Sequence, residues 1–201
     1  MLSALPSPTK TQPLRILLSH CLTGAFCGYD GSSYDGWPRL SRLSGENVKV
    51  FSFCPEEVSF GTPRELCDLH GGDGYDVLDG KAKVMSVSGA DWTAAMLRGA
   101  EQMLRLAQQH QVHLAIMTDI SASCGSQVIY DGDRLAANKK YQRGVGVTVA
   151  LLRRHGFLVI AQRDNRSLEQ LFAKLDPSYQ PDPNALDHHE TQWVREYFQG
   201  K

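Results

Sequence analysis

The sequence predicts a single α/β domain with a mostly parallel sheet flanked by helices, plus a β-hairpin and a C-terminal helical extension. Three observations point there. Apolar runs of strand length alternate with stretches of helical periodicity. Three of those runs are followed by a cysteine in loop-like sequence. And 201 residues are enough for one well-buried core.

Residues 1–13 carry Pro6, Pro8 and Pro13 and no continuous apolar stretch, so they read as a disordered lead-in rather than a secretory signal. The first strand spans roughly residues 15–19. The loop after it, 20–38, holds Gly24, Gly28, Gly31 and Gly36 with Asp30 and Asp35, and is too long for a simple connector. Pro38 suits the first turn of a short helix that stops before Gly45. Val48, Val50, Phe51 and Phe53 mark a second strand ending at Cys54. A long irregular stretch follows, to Gly72.

Asp79-Gly80 between the runs 75–78 and 81–87 is a two-residue hairpin signal. The run 71–78, Gly-Gly-Asp-Gly-Tyr-Asp-Val-Leu, matches one calcium-binding β-roll repeat. That motif works only as a stacked array, so a lone copy is a turn leading into the hairpin. From Asp91, a good N-cap, Trp92, Met96, Ala100, Met103 and Ala107 recur at helical spacing. Residues 114–118 form a third strand. A turn at Asp131-Gly132-Asp133 precedes Gly144-Val145-Gly146, which opens a helix that Gly156 stops, and 157–161 is the fourth strand. The domain thus spans 14–162. Beyond it, 163–201 reads as an extension with helices near 167–175 and 186–198, broken by Pro177, Pro181 and Pro183.

Composition excludes several classes. Hydrophobic residues are 42% and charged residues 21%, near the globular average, so disorder is not indicated. No apolar run approaches membrane-spanning length. A formal net charge of −1 carries no footprint for stable nucleic-acid binding, which leaves small molecules as partners. Five cysteines in a chain without a signal sequence point to the cytoplasm, where thiols serve as ligands, nucleophiles or core residues rather than disulfides.

Cys21, Cys54 and Cys124 follow three strands, and in a parallel sheet those ends share one edge. Ser123, Gly125 and Ser126 surround Cys124 with donor-rich backbone that stabilises sulfur's negative charge and can face a ligand. Cys27 and Cys67 lack that context and read as structural. Three strong ligands leave a metal with one open position, the mark of a catalytic site. Glu56, two residues past Cys54, is placed as a general acid/base, and Ser121, three residues before Cys124, reads as a hydrogen-bonding group for a ligand or as a turn residue closing the strand. His188-His189-Glu190 reads as a solvated tail, because adjacent histidines leave a helix on different faces. Lys139, Lys140 and Arg143 before Gly144 and Gly146 offer cations and a helix N-terminus to a phosphate.

Taken together, Ile16-Leu17-Leu18-Ser19-His20-Cys21-Leu22-Thr23-Gly24, Tyr29-Asp30-Gly31, Cys54-Pro55-Glu56, Thr62-Pro63-Arg64, Arg98-Gly99-Ala100-Glu101, Ser121 with Ser123-Cys124-Gly125-Ser126, and Ile129-Tyr130-Asp131-Gly132 resemble the thiouracil desulfidase (TudS) family over about residues 14–162. The resemblance implies a [4Fe-4S] cluster held by Cys21, Cys54 and Cys124 with one open iron, and Glu56 and Ser121 as catalytic residues. It also implies desulfuration of a thiolated uracil base to uracil and sulfide without net redox change, and the basic segment before Gly144 extends the expected substrates to a nucleotide such as 4-thio-UMP, giving UMP. Ala122 stands where the family usually has proline. A three-cysteine zinc hydrolase and a non-enzymatic iron–sulfur sensor are the alternatives that the residues alone leave open.

Overall fold

The computed structural model describes residues 2–33 and 36–200; the expectations that touch Met1 and Asp35 lie outside them. The chain runs through β1 (Leu14–Ser19), β2 (Val48–Phe53), α1 (Pro55–Phe60), β3 (Cys67–His70), α2 (Gly74–Leu78), β4 (Lys83–Ser86) and α3 (Thr93–Gln109). It continues through β5 (Leu114–Met117), β6 (Val128–Tyr130), β7 (Tyr141–Arg143), α4 (Val147–Arg154), β8 (Val159–Ala161), α5 (Asn165–Leu175) and α6 (Gln192–Tyr197).

The central sheet is parallel throughout, in the order β2-β1-β5-β8. Its strands read as near-continuous apolar runs because helices cover both faces. Alternation sorts the side chains: Ile16, Leu18, Leu114 and Ile116 pack with Leu168, Leu171 and Phe172 of α5. Leu17, Ala115 and Met117 turn the other way, onto Met103 and Ala107 of α3 and Val149 of α4. Strand order reverses at β1, so the crevice between the carboxyl ends of β1 and β5 is the switch point where such sheets bind ligands. The predicted α/β class therefore holds.

Several elements differ from the sequence reading. The hairpin does not turn at Asp79-Gly80. Residues 74–78 are α2, capped reciprocally by Asp73 and Asp76, and the antiparallel partner of β4 is β3, from Cys67↔Ser86 to His70↔Lys83. The Asp-x-x-Asp capping box outweighs the local turn signal. A second hairpin, β6 with β7, arises from strands too short to leave a periodic pattern. The lead-in is not loose either, because Leu2 and Leu5 are buried in the core cluster that α5 lines. Two apolar side chains suffice to dock it despite the prolines. No helix among the described residues is long and apolar enough to cross a membrane.

The irregular stretch after Cys54 begins with helix α1, which Pro55 opens and Cys54 caps. It lies against α3 at Gly99, where an added Cβ would stand 2.4 Å from the Pro55 carbonyl oxygen and 2.2 Å from Ser59 Oγ. Backbone-to-backbone approach there needs glycine for space rather than for dihedral freedom. Gly99→Ala is expected to lower stability by about 1–3 kcal/mol through overpacking, read as a lower urea midpoint at unchanged slope. An unchanged midpoint would mean that α1 slides freely on α3.

Candidate metal centre

Each thiol is delivered by the end of a strand. Cys21 lies in the 3-10 turn His20–Thr23 directly after β1, and its Sγ is 2.9 Å from Thr118 Oγ1, just beyond β5. Cys54 follows β2 and accepts the Glu57 amide at 3.4 Å. Cys124 sits in the loop after β5, whose Ser121 hydroxyl oxygen accepts the amides of Ser123 at 3.2 Å and Cys124 at 3.0 Å. All three line one cavity of about 480 Å³ together with Cys27, Glu56, Arg64 and Ser121.

The acid and the serine are joined as well as adjacent. Ser121 donates to Glu56 Oε1 at 3.2 Å, and Arg64 Nη2 donates to Glu56 Oε2 at 3.1 Å. The Arg64 side chain is only 5% exposed, and its Nε has no hydrogen-bond partner among the described residues. Its guanidinium also donates to the carbonyls of Cys27 and Gly61 at 3.1 Å each, tying the loop after β1 to the segment after α1. A buried arginine with this many carbonyl and carboxylate acceptors is a fixed strut for Glu56.

Burial pushes the Cys21 thiol up to about 11, against the hydrogen bond to Thr118, and raises Cys124 well above the usual thiol range. Cys54 moves the other way, because the neighbouring Cys27 thiol favours its thiolate and the Glu57 amide adds to the effect against burial. The same contact, with burial, raises Cys27. The Sγ atoms of Cys27 and Cys54 and a carboxylate oxygen of Glu57 lie within 4.8 Å of one another, the tightest group of potential ligands among the described residues. Cys27 is thus part of the site, contrary to its reading as structural; its spacing from Cys21 within one glycine-rich loop was the available signal. Cys67, at the start of β3, is buried and does not line the cavity.

The other expected contacts do not reach the cavity. Ser123 is fully buried and bonds Thr148 Oγ1 at 2.8 Å. Gly125 is hemmed in by Ile129 and Ser121, and the Ser126 amide is held by Asp119 Oδ1 at 2.8 Å, so these residues build the loop instead of facing a ligand. The phosphate cradle at Gly144 and Gly146 also fails. The amides of Gly146, Val147 and Thr148 donate to the carbonyls of Gly125, Ala122 and Ser123 at 2.7, 3.0 and 3.0 Å, so the three that open the helix are already occupied by the loop. A Cβ on Gly146 would stand 2.4 Å from the Ser123 carbonyl carbon, and one on Gly144 2.7 Å from Asp73 Cβ, so both glycines serve close packing. Lys139 and Lys140 are exposed, and Arg143 stacks over Phe198 with 5.0 Å between its guanidinium carbon and the ring centroid. Arg163, past β8, lines the cavity and is exposed.

His188 also departs from expectation. Far from a solvated tail, it is buried, and its Nδ1 bonds Asp119, whereas His189 is exposed. The two rings do diverge, but one of them points inward.

The chain is similar to known proteins in sequence and in fold. The sequence model of the 2-thiouracil desulfurase family matches residues 16–164. YbbK, an uncharacterized protein of Bacillus subtilis (strain 168), is 39% identical over 150 residues, which are 74% of this chain and 96% of that protein. The solved structure of a [4Fe-4S]-dependent thiouracil desulfidase, TudS, superposes with a TM-score of 0.65 at 33% identity, covering 80% of this chain and 98% of its own.

The opposed thiol shifts have a direct readout. A lowered pKa means more thiolate at neutral pH, so in the metal-free chain iodoacetamide is expected to modify Cys54 before Cys21 at about pH 7.5, with Cys21 speeding up about tenfold per pH unit towards its own pKa. Cys27→Ala removes the neighbouring thiol and should slow Cys54. Peptide mapping by mass spectrometry gives the order; Cys21 reacting first would contradict the effect of Cys27.

Proposed function

The chain belongs to the 2-thiouracil desulfurase family, and from that premise we propose that it is a [4Fe-4S]-dependent desulfidase that hydrolyses a thiolated uracil to uracil and sulfide. The observation that carries this reading is the meeting of Cys21, Cys54 and Cys124 in one cavity with the Ser121–Glu56–Arg64 chain of hydrogen bonds. The donor set fits the group. Thiolates are the ligands of iron–sulfur clusters, and the cavity mouth leaves room for a further ligand beside the three sulfurs. In this reading Cys27 is not a ligand but a donor to Cys54, which tempers the charge on that sulfur.

Bound by those three residues, a [4Fe-4S] cluster would supply one iron with an open position, a soft Lewis acid for a thiocarbonyl sulfur. The chain supplies the proton chemistry. Glu56 is the base that takes a proton from the attacking water, and the acid that returns it to the departing sulfur. Arg64 fixes one carboxylate oxygen, so the other, Oε1, is the one that moves the proton. Ser121 accepts two backbone amides, so its own hydrogen points at Glu56 Oε1 and orients it. Thiouracil and water go in, and uracil and hydrogen sulfide come out, so no external oxidant or reductant is required. A labile thiolate centre and five free cysteines suit a reducing compartment, and we assign the protein to the cytoplasm.

For a nucleotide such as 4-thio-UMP, Arg163 at the cavity is the cation suited to the phosphate, in place of Lys139, Lys140 and Arg143.

Anaerobically prepared protein is expected to hold about four iron and four sulfide per chain and to release sulfide from thiouracil. Cys21→Ser, Cys54→Ser and Cys124→Ser should each abolish that content, and Cys67→Ser should not. Zinc in place of iron would overturn the reading. Glu56→Gln should keep the cluster and lose roughly 100-fold or more in kcat. Arg163→Ala should raise KM for 4-thio-UMP and leave KM for free 4-thiouracil unchanged; equal effects on both would remove Arg163 from phosphate recognition.

A further inference from the structure

The residues beyond the family match, 165–201, do not merely cap the sheet. We propose that this C-terminal extension is a clamp on the Cys124 loop, with His188 as a positioning residue that acts through Asp119. For the role of Cys124 it rests on the cluster reading above; the rest stands on geometry alone.

Asp119 lines the cavity and opens the loop that carries Ser121 and Cys124. Its Oδ1 closes that loop by accepting the amides of Ser126 at 2.8 Å and Gln127 at 3.2 Å. Its Oδ2 is held by His188 Nδ1, and its own amide is held by Gln162 Oε1 at 2.7 Å. Burial alone would raise this carboxyl; the His188 ring and the Ser126 amide outweigh it and keep Asp119 below the ordinary range. Without His188, one carboxylate oxygen at a 4% exposed residue loses its hydrogen-bond partner.

The loop needs holding. Ile120, between Asp119 and Ser121, has φ +57°, a left-handed conformation that costs a β-branched residue about 1–2 kcal/mol. Such a residue persists only where its surroundings over-determine it. The extension makes the second tie as well. The His188 amide donates to Asp164 Oδ1 at 3.1 Å, the Gln127 side-chain amide donates to the same oxygen, and the His189 amide donates to Gln127 Oε1 at 3.0 Å. Trp193 stacks on the His188 ring, 5.8 Å between centroids and 8° between planes, and Tyr197 Oη accepts the Tyr141 amide at 2.9 Å. Two elements of the extension therefore act here: the 3-10 turn His188–Glu190 holds the loop, and α6 backs the His188 ring and reaches β7.

The test uses the full chain in two states. In the cluster-free protein, hydrogen exchange of peptides covering 119–127 is measured for wild type, His188→Ala and His188→Asn; asparagine's Nδ2 stands near the place of the imidazole Nδ1. Loss of a buried hydrogen bond to a charge predicts exchange about tenfold faster in His188→Ala, with most of the protection recovered in His188→Asn. In the loaded protein, His188→Ala should release iron to a chelator about tenfold faster and lower kcat with KM changed by less than about twofold. Should His188→Ala not fold, Trp193→Leu, at a partly exposed position, is expected to speed exchange in 119–127 about threefold by freeing the ring. Wild-type exchange in 119–127 in whichever of the two variants folds overturns the clamp, as does equal exchange in His188→Ala and His188→Asn. Failure of the cluster reading would appear instead as missing iron in wild type, with the exchange result intact.

Discussion

Parallel pairing of β1 with both β2 and β5 is the constraint on which the centre depends. It brings three strand ends from residues 19, 53 and 117 to one edge in fixed register, so cysteines more than 30 residues apart enter one cavity without any local sequence motif joining them. The two strands that flank β1 leave it in opposite directions along the sheet, and the crevice this opens is filled by side chains from the loops rather than by the strands themselves. Thr118 beside Cys21, and the Ser19 hydroxyl accepting the Thr118 amide at 3.0 Å, stitch the two loops at that crevice.

The Cys124 loop is a second, denser constraint. Its carbonyls satisfy the first amides of α4, its Ser121 oxygen satisfies two of its own amides, and Asp119 closes its far end. Small residues at 121–126 are needed because α4 approaches the loop backbone so closely that even Gly146 cannot carry a methyl group. The loop is therefore organised around packing and internal hydrogen bonds, and only Ser121 and Cys124 of its small polar residues line the cavity. This is also why a helix N-terminus beside basic residues is not an anion site here: its donors have partners already.

Electrostatics inside the cavity set the thiols apart. Burial disfavours charge at Cys21 and Cys124, so either thiol would have to give up a proton to bind a metal. Cys54, on an N-cap with the Glu57 amide directed at it and the Cys27 thiol beside it, is the sulfur most disposed to the thiolate form. Arg64 pairs with Glu56 within the same space, its Nη2 donating to Oε2 at 3.1 Å.

What the sequence determined by itself was whatever is carried by local pattern. Apolar runs of strand length identified the four sheet strands, the spacing from Trp92 to Ala107 identified α3, and strand-end placement singled out Cys21, Cys54 and Cys124 together with Glu56 and Ser121. Tertiary structure decided what depends on contacts distant in sequence. Cys27 joined the site because Arg64, 37 residues on, holds its carbonyl. The expected hairpin gave way to β3 with β4 because α2 is inserted between them, and the basic segment lost its anion role because the Cys124 loop consumes the α4 amides. His188 became a buried partner of Asp119, 69 residues away, for the same physical reason: a hydrogen bond between groups far apart in the chain leaves no period or spacing to read, and exists only once the sheet has brought both ends together.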